Sequence, residues 1–86
     1  MRVAIIYREA SEHGGVVRDY LRDFKRRTGK DMDIIDPDSR EGASLCETYD
    51  IMEYPTILAT DSNGVLQTQW RGIPLPTINE VSYYVQ

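Results

Sequence analysis

Tyr49-Asp50-Ile51-Met52-Glu53-Tyr54-Pro55-Thr56-Ile57-Leu58 is a polar passage that ends in a proline and runs straight into an apolar, β-branched segment. An X-Pro bond reaches the cis form at modest cost, which other peptide bonds do not. A cis bond at Tyr54-Pro55 would turn the backbone sharply at the entrance to a strand, and that is the expectation here. Thr56–Thr60 reads as that strand and Val65–Trp70 as the returning one. Asp61-Ser62-Asn63-Gly64 between them suits a hairpin connection, with Gly64 able to take positive φ.

Upstream, Arg2–Tyr7 contains the run Val3-Ala4-Ile5-Ile6-Tyr7, which reads as a strand buried on both faces. Arg8–Gly15 is polar and ends in Gly14-Gly15, a loop leading into a helix. From Val16, the residues Val16, Val17, Tyr20, Leu21 and Phe24 are spaced for one face of an amphipathic helix, which Gly29 would stop. Met32–Ile35 reads as a second strand, ended by Asp36-Pro37-Asp38. Ser39 is placed to cap a second helix running to about Tyr49. Downstream, Gly72, Pro74 and Pro76 break the chain. Thr77 and Glu80 have capping-box spacing for a last helix, whose apolar face would be Ile78, Val81 and Tyr84 or Val85.

The expected order is β-α-β-α-β-β-α, an α/β fold. The first two strands are parallel, because a helix crosses between them, and the last two form an antiparallel hairpin. The 86 residues make a single domain, residues 1–86.

Composition removes several function classes. The net charge of −4 disfavours nucleic-acid binding. No apolar run approaches the roughly 20 residues that cross a bilayer, and a strand pattern starting at Arg2 leaves no room for a signal peptide. A cytoplasmic protein without membrane contact is expected. Cys46 is the single cysteine, so it forms no internal disulfide and no cysteine-based zinc site. Asp33, Asp36, Asp38 and Glu41 do not match the spacing of a calcium loop and read as turn and cap residues. No metal or other cofactor is expected.

The element order and the Pro55 segment together resemble the thioredoxin-like superfamily, the fold of thioredoxins and glutaredoxins. There, a tyrosine with Gly-Val or Gly-Ile, then a few residues, then a cis-proline with Thr and an apolar strand, stand where this chain runs from Tyr49 to Leu58. Gly64 in the hairpin and Gly72 after the fourth strand also fit. The resemblance covers essentially the whole chain. It implies a four-stranded mixed sheet with cis-Pro55 beside the active-site loop, where the backbone of Tyr54 can pair with an extended peptide.

The resemblance also shows what has been replaced. The family's Cys-x-x-Cys falls on Ser11-Glu12-His13-Gly14, with Ser11 in the place of the nucleophile and Gly14 in that of the resolving cysteine. Tyr7-Arg8-Glu9-Ala10 matches the aromatic-led approach to the motif. Disulfide exchange needs a thiolate, and a serine hydroxyl without an adjacent base is far too weakly acidic. Dithiol-disulfide oxidoreductase activity is therefore not expected, and no catalytic residue is assigned. Gly72-Ile73-Pro74-Leu75 replaces the Gly-Gly-x-Asp step of glutaredoxins, which puts glutathione binding in doubt.

Three functions compete. The first is a redox-inactive module that binds a protein or extended peptide between the Arg8–Gly14 and Glu53–Thr56 loops. Its candidate residues are Ser11, Glu12, His13, Gly14, Tyr54, Pro55 and Thr56. Ser11 reads as the cap of the first helix and Glu12 as a partner of its dipole. A hydrolytic Ser11–His13 pair is disfavoured, because residues two apart near a helix start do not face each other. The second function is a monothiol oxidoreductase or redox sensor using Cys46, a thiol expected far from the family's usual site. The setting of Cys46 in the second helix, beside Leu45 and Glu47, favours a buried core thiol instead. The third is a structural subunit docking through the stripe Arg18, Arg22 and Arg26. The interleaved Asp19 and Asp23 make a solvated, ion-paired face the plainer reading of that stripe. Tyr54 would border the groove and Trp70 would cover the sheet. Of Tyr83 and Tyr84, one side would pack and the other meet solvent.

Overall fold

Val3 to Tyr7 are all buried, and a strand with no solvent face belongs in the middle of a sheet covered on both sides. In the computed structural model, which describes residues 1–85, β1 (Arg2–Ile6) lies between β2 (Asp33–Ile35) and β3 (Thr56–Thr60). It pairs with β2 in parallel and with β3 antiparallel; β4 (Leu66–Arg71) runs antiparallel on the outer side of β3. The order β2-β1-β3-β4 makes a four-stranded mixed sheet. Every residue of β3 is buried, whereas the edge strands β2 and β4 are not.

Helices cover both faces. Val3, Ile5, Tyr7, Ile57 and Ala59 pack with Val17 and Phe24 of α1 (Gly14–Thr28) and with Val81 of α3 (Ile78–Ser82). Ala4, Ile6, Ile35 and Leu58 pack on the other face with Ile51 and with Leu45 and Cys46 of α2 (Arg40–Thr48). Alternation along β1 and β3 thus sorts one apolar run into two cores.

Local signals set most of the boundaries. The Ser39 hydroxyl accepts the Gly42 N–H at 3.0 Å and starts α2. Thr77 and Glu80 exchange both bonds of the capping box, at 3.2 and 3.3 Å. Gly29 takes φ 71° and donates to the Lys25 carbonyl, ending α1. Four expectations are corrected. α1 begins at Gly14 rather than Val16, and Val16 is 53% exposed, outside the apolar face. Met32 is buried but stands before β2, while Ile34 within that strand is 62% exposed, because β2 is an edge. β4 is shifted one residue, from Leu66 to Arg71. Trp70 covers the sheet only in part, its ring edge-on to Tyr84 at 5.7 Å.

The register decides where the loops emerge. Ile6 pairs with both Ile35 and Thr56, and Thr56 with Arg71. The segments after β1, after β2, before β3 and after β4 therefore open at the same end of the sheet.

Candidate functional site

At that end, the loop after β1 folds on itself before α1 begins. The Ser11 N–H and hydroxyl both donate to the Arg8 carbonyl, at 3.2 and 2.6 Å, and Gly14 N–H donates to the Ser11 carbonyl. Ser11 is therefore a turn residue, which corrects its expected role as helix cap. The N-cap is His13, whose side chain makes no capping bond. The His13 Nε2 lies 3.5 Å from Glu12 Oε1, and Glu12 falls before the first helical turn.

Glu9 anchors this loop from two sides. It accepts the Tyr7 hydroxyl at 2.7 Å and pairs with Arg18 of α1. The hydrogen bond from Tyr7, then the bond from Arg18, hold its carboxyl below the ordinary carboxylate range. Burial, reinforced by Glu9, pushes the Tyr7 hydroxyl up to about 12. Gly14 is buried against the same turn: a Cβ there would collide with the Glu9 carbonyl oxygen and stand 3.3 Å from the Arg18 guanidinium.

Arg8 joins three loops. It donates to both carboxylate oxygens of Asp38, at 2.9 and 3.0 Å, and its guanidinium sits 4.9 Å over the Tyr54 ring. Arg8 holds the Asp38 carboxyl below its usual range. The Tyr54 hydroxyl lies 3.6 Å from the Cys46 sulfur; that contact, then desolvation, raises the Tyr54 hydroxyl. Cys46 is thus half-buried and next to the residue that precedes Pro55. This corrects both its expected burial in the core and its expected remoteness from the site.

The remaining candidates divide by exposure. Ser11 and Glu12 are exposed, and His13 and Tyr54 are half-buried. Gly14, Pro55 and Thr56 are buried and form the backing of the site. The Thr56 hydroxyl donates to the Glu53 carbonyl at 2.7 Å, and the Pro55 carbonyl accepts Gly72 N–H at 2.8 Å. The Tyr54–Pro55 and Ile73–Pro74 bonds are cis. The Tyr54 N–H and C=O make no hydrogen bond to any described residue. Arg8, Asp38 and Cys46 around Tyr54 are the arrangement that sequence reasoning missed. The one available signal was that two parallel strands send Arg8 and Asp38 out at the same end.

On α1, Arg22 pairs with Asp19 at 3.1 Å and Arg26 with Asp23 at 2.7 Å, each i, i+3, while Arg18 reaches off the helix to Glu9. Asp33 and Glu41 both pair with Arg2, and Asp36 Oδ1 accepts Asp38 N–H in a turn. Among the described residues, no three His, Cys, Asp or Glu side chains gather as a metal site. No helix is long and apolar enough to cross a membrane.

A cavity of about 450 Å³ opens at the other end of the sheet, lined by Arg2, Ala4, Leu45, Tyr49, Leu58 and Thr60 among others. Several of its polar groups are turned to the fold itself. Arg2 is held by two carboxylates, the Tyr49 hydroxyl donates to the Gly64 carbonyl, and Asp61 accepts the Asn63 and Val65 N–H groups.

No protein-family model matches the sequence, and no curated protein matches it. Among solved structures, the chain is similar to thioredoxin 1 from the thermophilic eubacterium Thermosipho africanus TCF52B. That match covers 99% of this chain and 90% of the other, with a TM-score of 0.66 and 14% identity. The fold is thioredoxin-like. At that identity the likeness is one of fold alone, and the single cysteine leaves no Cys-x-x-Cys motif.

Proposed function

We propose that this domain holds an extended peptide or protein segment against Tyr54 and performs no dithiol chemistry. The observation that carries the reading is the unpaired backbone of Tyr54. Its N–H and C=O have no partner among the described residues, and they stand beside an aromatic ring fixed by Arg8. A free donor and acceptor on one residue pair naturally with a strand, and an aromatic neighbour supplies an anchor. The loop opposite supports the negative half of the reading. The position matching the resolving cysteine is Gly14, where even a Cβ meets backbone.

The test is selection from a random peptide library displayed on phage. Enriched peptides should bind the wild type and lose most of their affinity to Tyr54→Ala, whose circular dichroism stays native. Peptides that bind Tyr54→Ala unchanged would show that the groove is not the site.

A second reading keeps the same location and makes Cys46 a single redox thiol. It is favoured by the contact of Cys46 with the Tyr54 hydroxyl, through which oxidation of the sulfur would disturb the groove.

A further inference from the structure

Two polar side chains are buried among the described residues, Thr56 and Thr60. The Thr56 hydroxyl donates to the Glu53 carbonyl. Thr60 is only 9% exposed, and its hydroxyl has no hydrogen bond to any described residue. Buried polar groups nearly always have a partner, so this exception asks for one. Thr60 stands two residues beyond Leu58 in β3, and the pleat puts both side chains on the α2 face of the sheet. There Thr60 lines the cavity of about 450 Å³. The Tyr20 hydroxyl is sealed inside the fold; that of Thr60 is not, and it opens into the cavity.

We infer that this cavity, between α2 and the β3–β4 turn, binds an uncharged small molecule with an apolar body and a hydroxyl or carbonyl group. Its volume is that of a small-molecule site, about 300–1,000 Å³. Ala4 and Leu58 supply an apolar floor, and Leu45 and Tyr49 an apolar wall from the α2 side. Two links hold α2 over that floor. At its start Glu41 pairs with Arg2 of β1, and just past its end the Tyr49 hydroxyl donates to the Gly64 carbonyl. The charged groups of the rim have other partners or offset one another. Arg2 is bonded to Asp33 and Glu41. Asp61 accepts the Asn63 and Val65 N–H groups and faces the Gln67 amide; the Met1 amino group, of opposite sign, belongs to the same lining. The polar groups left over are hydroxyls, of Thr60 within and of exposed Ser62 at the mouth. A hydroxyl both donates and accepts, which suits an alcohol or a carbonyl. A buried hydroxyl that gains this bond should contribute about two- to tenfold in affinity.

Three probes of one shape test this: para-methylbenzyl alcohol, para-methylbenzylamine and para-methylbenzoate, each titrated at neutral pH into the ¹⁵N-labelled chain. The alcohol should shift the amides of Ala4, Leu45, Leu58 and Thr60, leave that of Tyr54 in place, and bind most tightly of the three. Thr60→Val, close in shape but without the hydroxyl, should weaken the alcohol about two- to tenfold with the remaining spectrum native. Intermolecular NOEs from the probe's ring protons to the Leu45 and Leu58 methyls should locate it in the wild type, whatever the variant does to folding. Tighter binding of the amine or the benzoate would overturn the preference for an uncharged ligand. An alcohol that binds a natively folded Thr60→Val unchanged would overturn the role of the hydroxyl. If no probe shifts these amides or gives these NOEs, the cavity is not a binding site, and the peptide reading at Tyr54 is untouched.

Discussion

The Cys46 sulfur lies 3.6 Å from the Tyr54 hydroxyl oxygen, although the two residues are eight apart and belong to different elements. α2 brings Cys46 over the loop that leads into β3, and the Tyr54 ring is held between that thiol and the Arg8 guanidinium. Half-buried, Cys46 should react several-fold more slowly with a chromogenic thiol reagent in the native chain than in urea. Tyr54→Ala should uncover it and speed the native reaction without changing the rate in urea. A wild-type native rate equal to the unfolded one would mean an open thiol, and it would put the single-thiol reading first.

Gly14 bears on the proposal that this domain performs no dithiol chemistry. Since a Cβ at this position meets the Glu9 carbonyl, Gly14→Ala should cost about 1–3 kcal/mol, as overpacking of a buried site does. Ser11 is exposed, so Ser11→Cys alone should change stability little. The double variant Ser11→Cys with Gly14→Cys should carry the full cost of the second change and still fail to reduce insulin. Denaturant melts measure the three stability outcomes and a turbidity assay the failure to reduce insulin. Robust turnover by a double variant of native stability would show that the loop accepts the motif.

Tyr20 offers a stabilising substitution. Its hydroxyl oxygen is buried without a hydrogen bond to any described residue, while its ring stacks near Phe24, at 6.5 Å between centroids. Tyr20→Phe keeps the ring and removes the unpaired group. It should raise stability by about 1 kcal/mol, the low end of the cost of such a group, read from the midpoint of urea unfolding.

The same residue, with Tyr7, sets an alkaline limit. Burial leads the cause in both cases and raises each hydroxyl from 10.0 to about 12. Between those values the folded chain keeps protons that the unfolded chain has released. Their contribution is therefore complete below pH 10.0 and is lost as pH rises toward about 12. Urea unfolding across that range should show a falling stability, and Tyr20→Phe should make the fall shallower. A flat profile would contradict the burial of these hydroxyls.

Arg8 and Asp38 meet across the ends of β1 and β2, at the surface. Asp38→Asn should barely move global stability, because exposed pairs contribute little. It should nonetheless release the guanidinium from its place over Tyr54 and shift the Tyr54 ring resonances. Acid should do the same. Asp38 is held below its ordinary value of 3.8, so the pair is intact above that value and is lost as pH falls through the lowered one. Tyr54 resonances that ignore both changes would show that Arg8 is not what positions the ring.

Much of this chain was legible because its signals act over a few residues. Thr77 and Glu80 cap their helix through groups three residues apart, Ser39 reaches Gly42, and Gly29 ends α1 with its own backbone. The run of β1 and the hairpin beyond Pro55 gave the element order, and the parallel pairing of β1 with β2 followed from the helix between them. The loops at residues 8–14 and 53–56 were marked as a candidate site by the resemblance to thioredoxins rather than by any local signal.

Tertiary structure decided the rest. Ser11 resembled a cap, but its hydroxyl found the Arg8 carbonyl nearer than the helix N–H groups, and the cap passed to His13. Val16 fitted the apolar period, yet it is exposed, and Val17 and Phe24 carry the buried face of α1. Cys46 and Asp38 were read as a core thiol and a turn residue, and both arrive at Tyr54 only once α2 is laid on the sheet. Capping and strand runs are fixed by bonds between near neighbours. The company a side chain keeps is fixed by which strands lie side by side and which faces they must bury, and those constraints link residues that no local pattern connects.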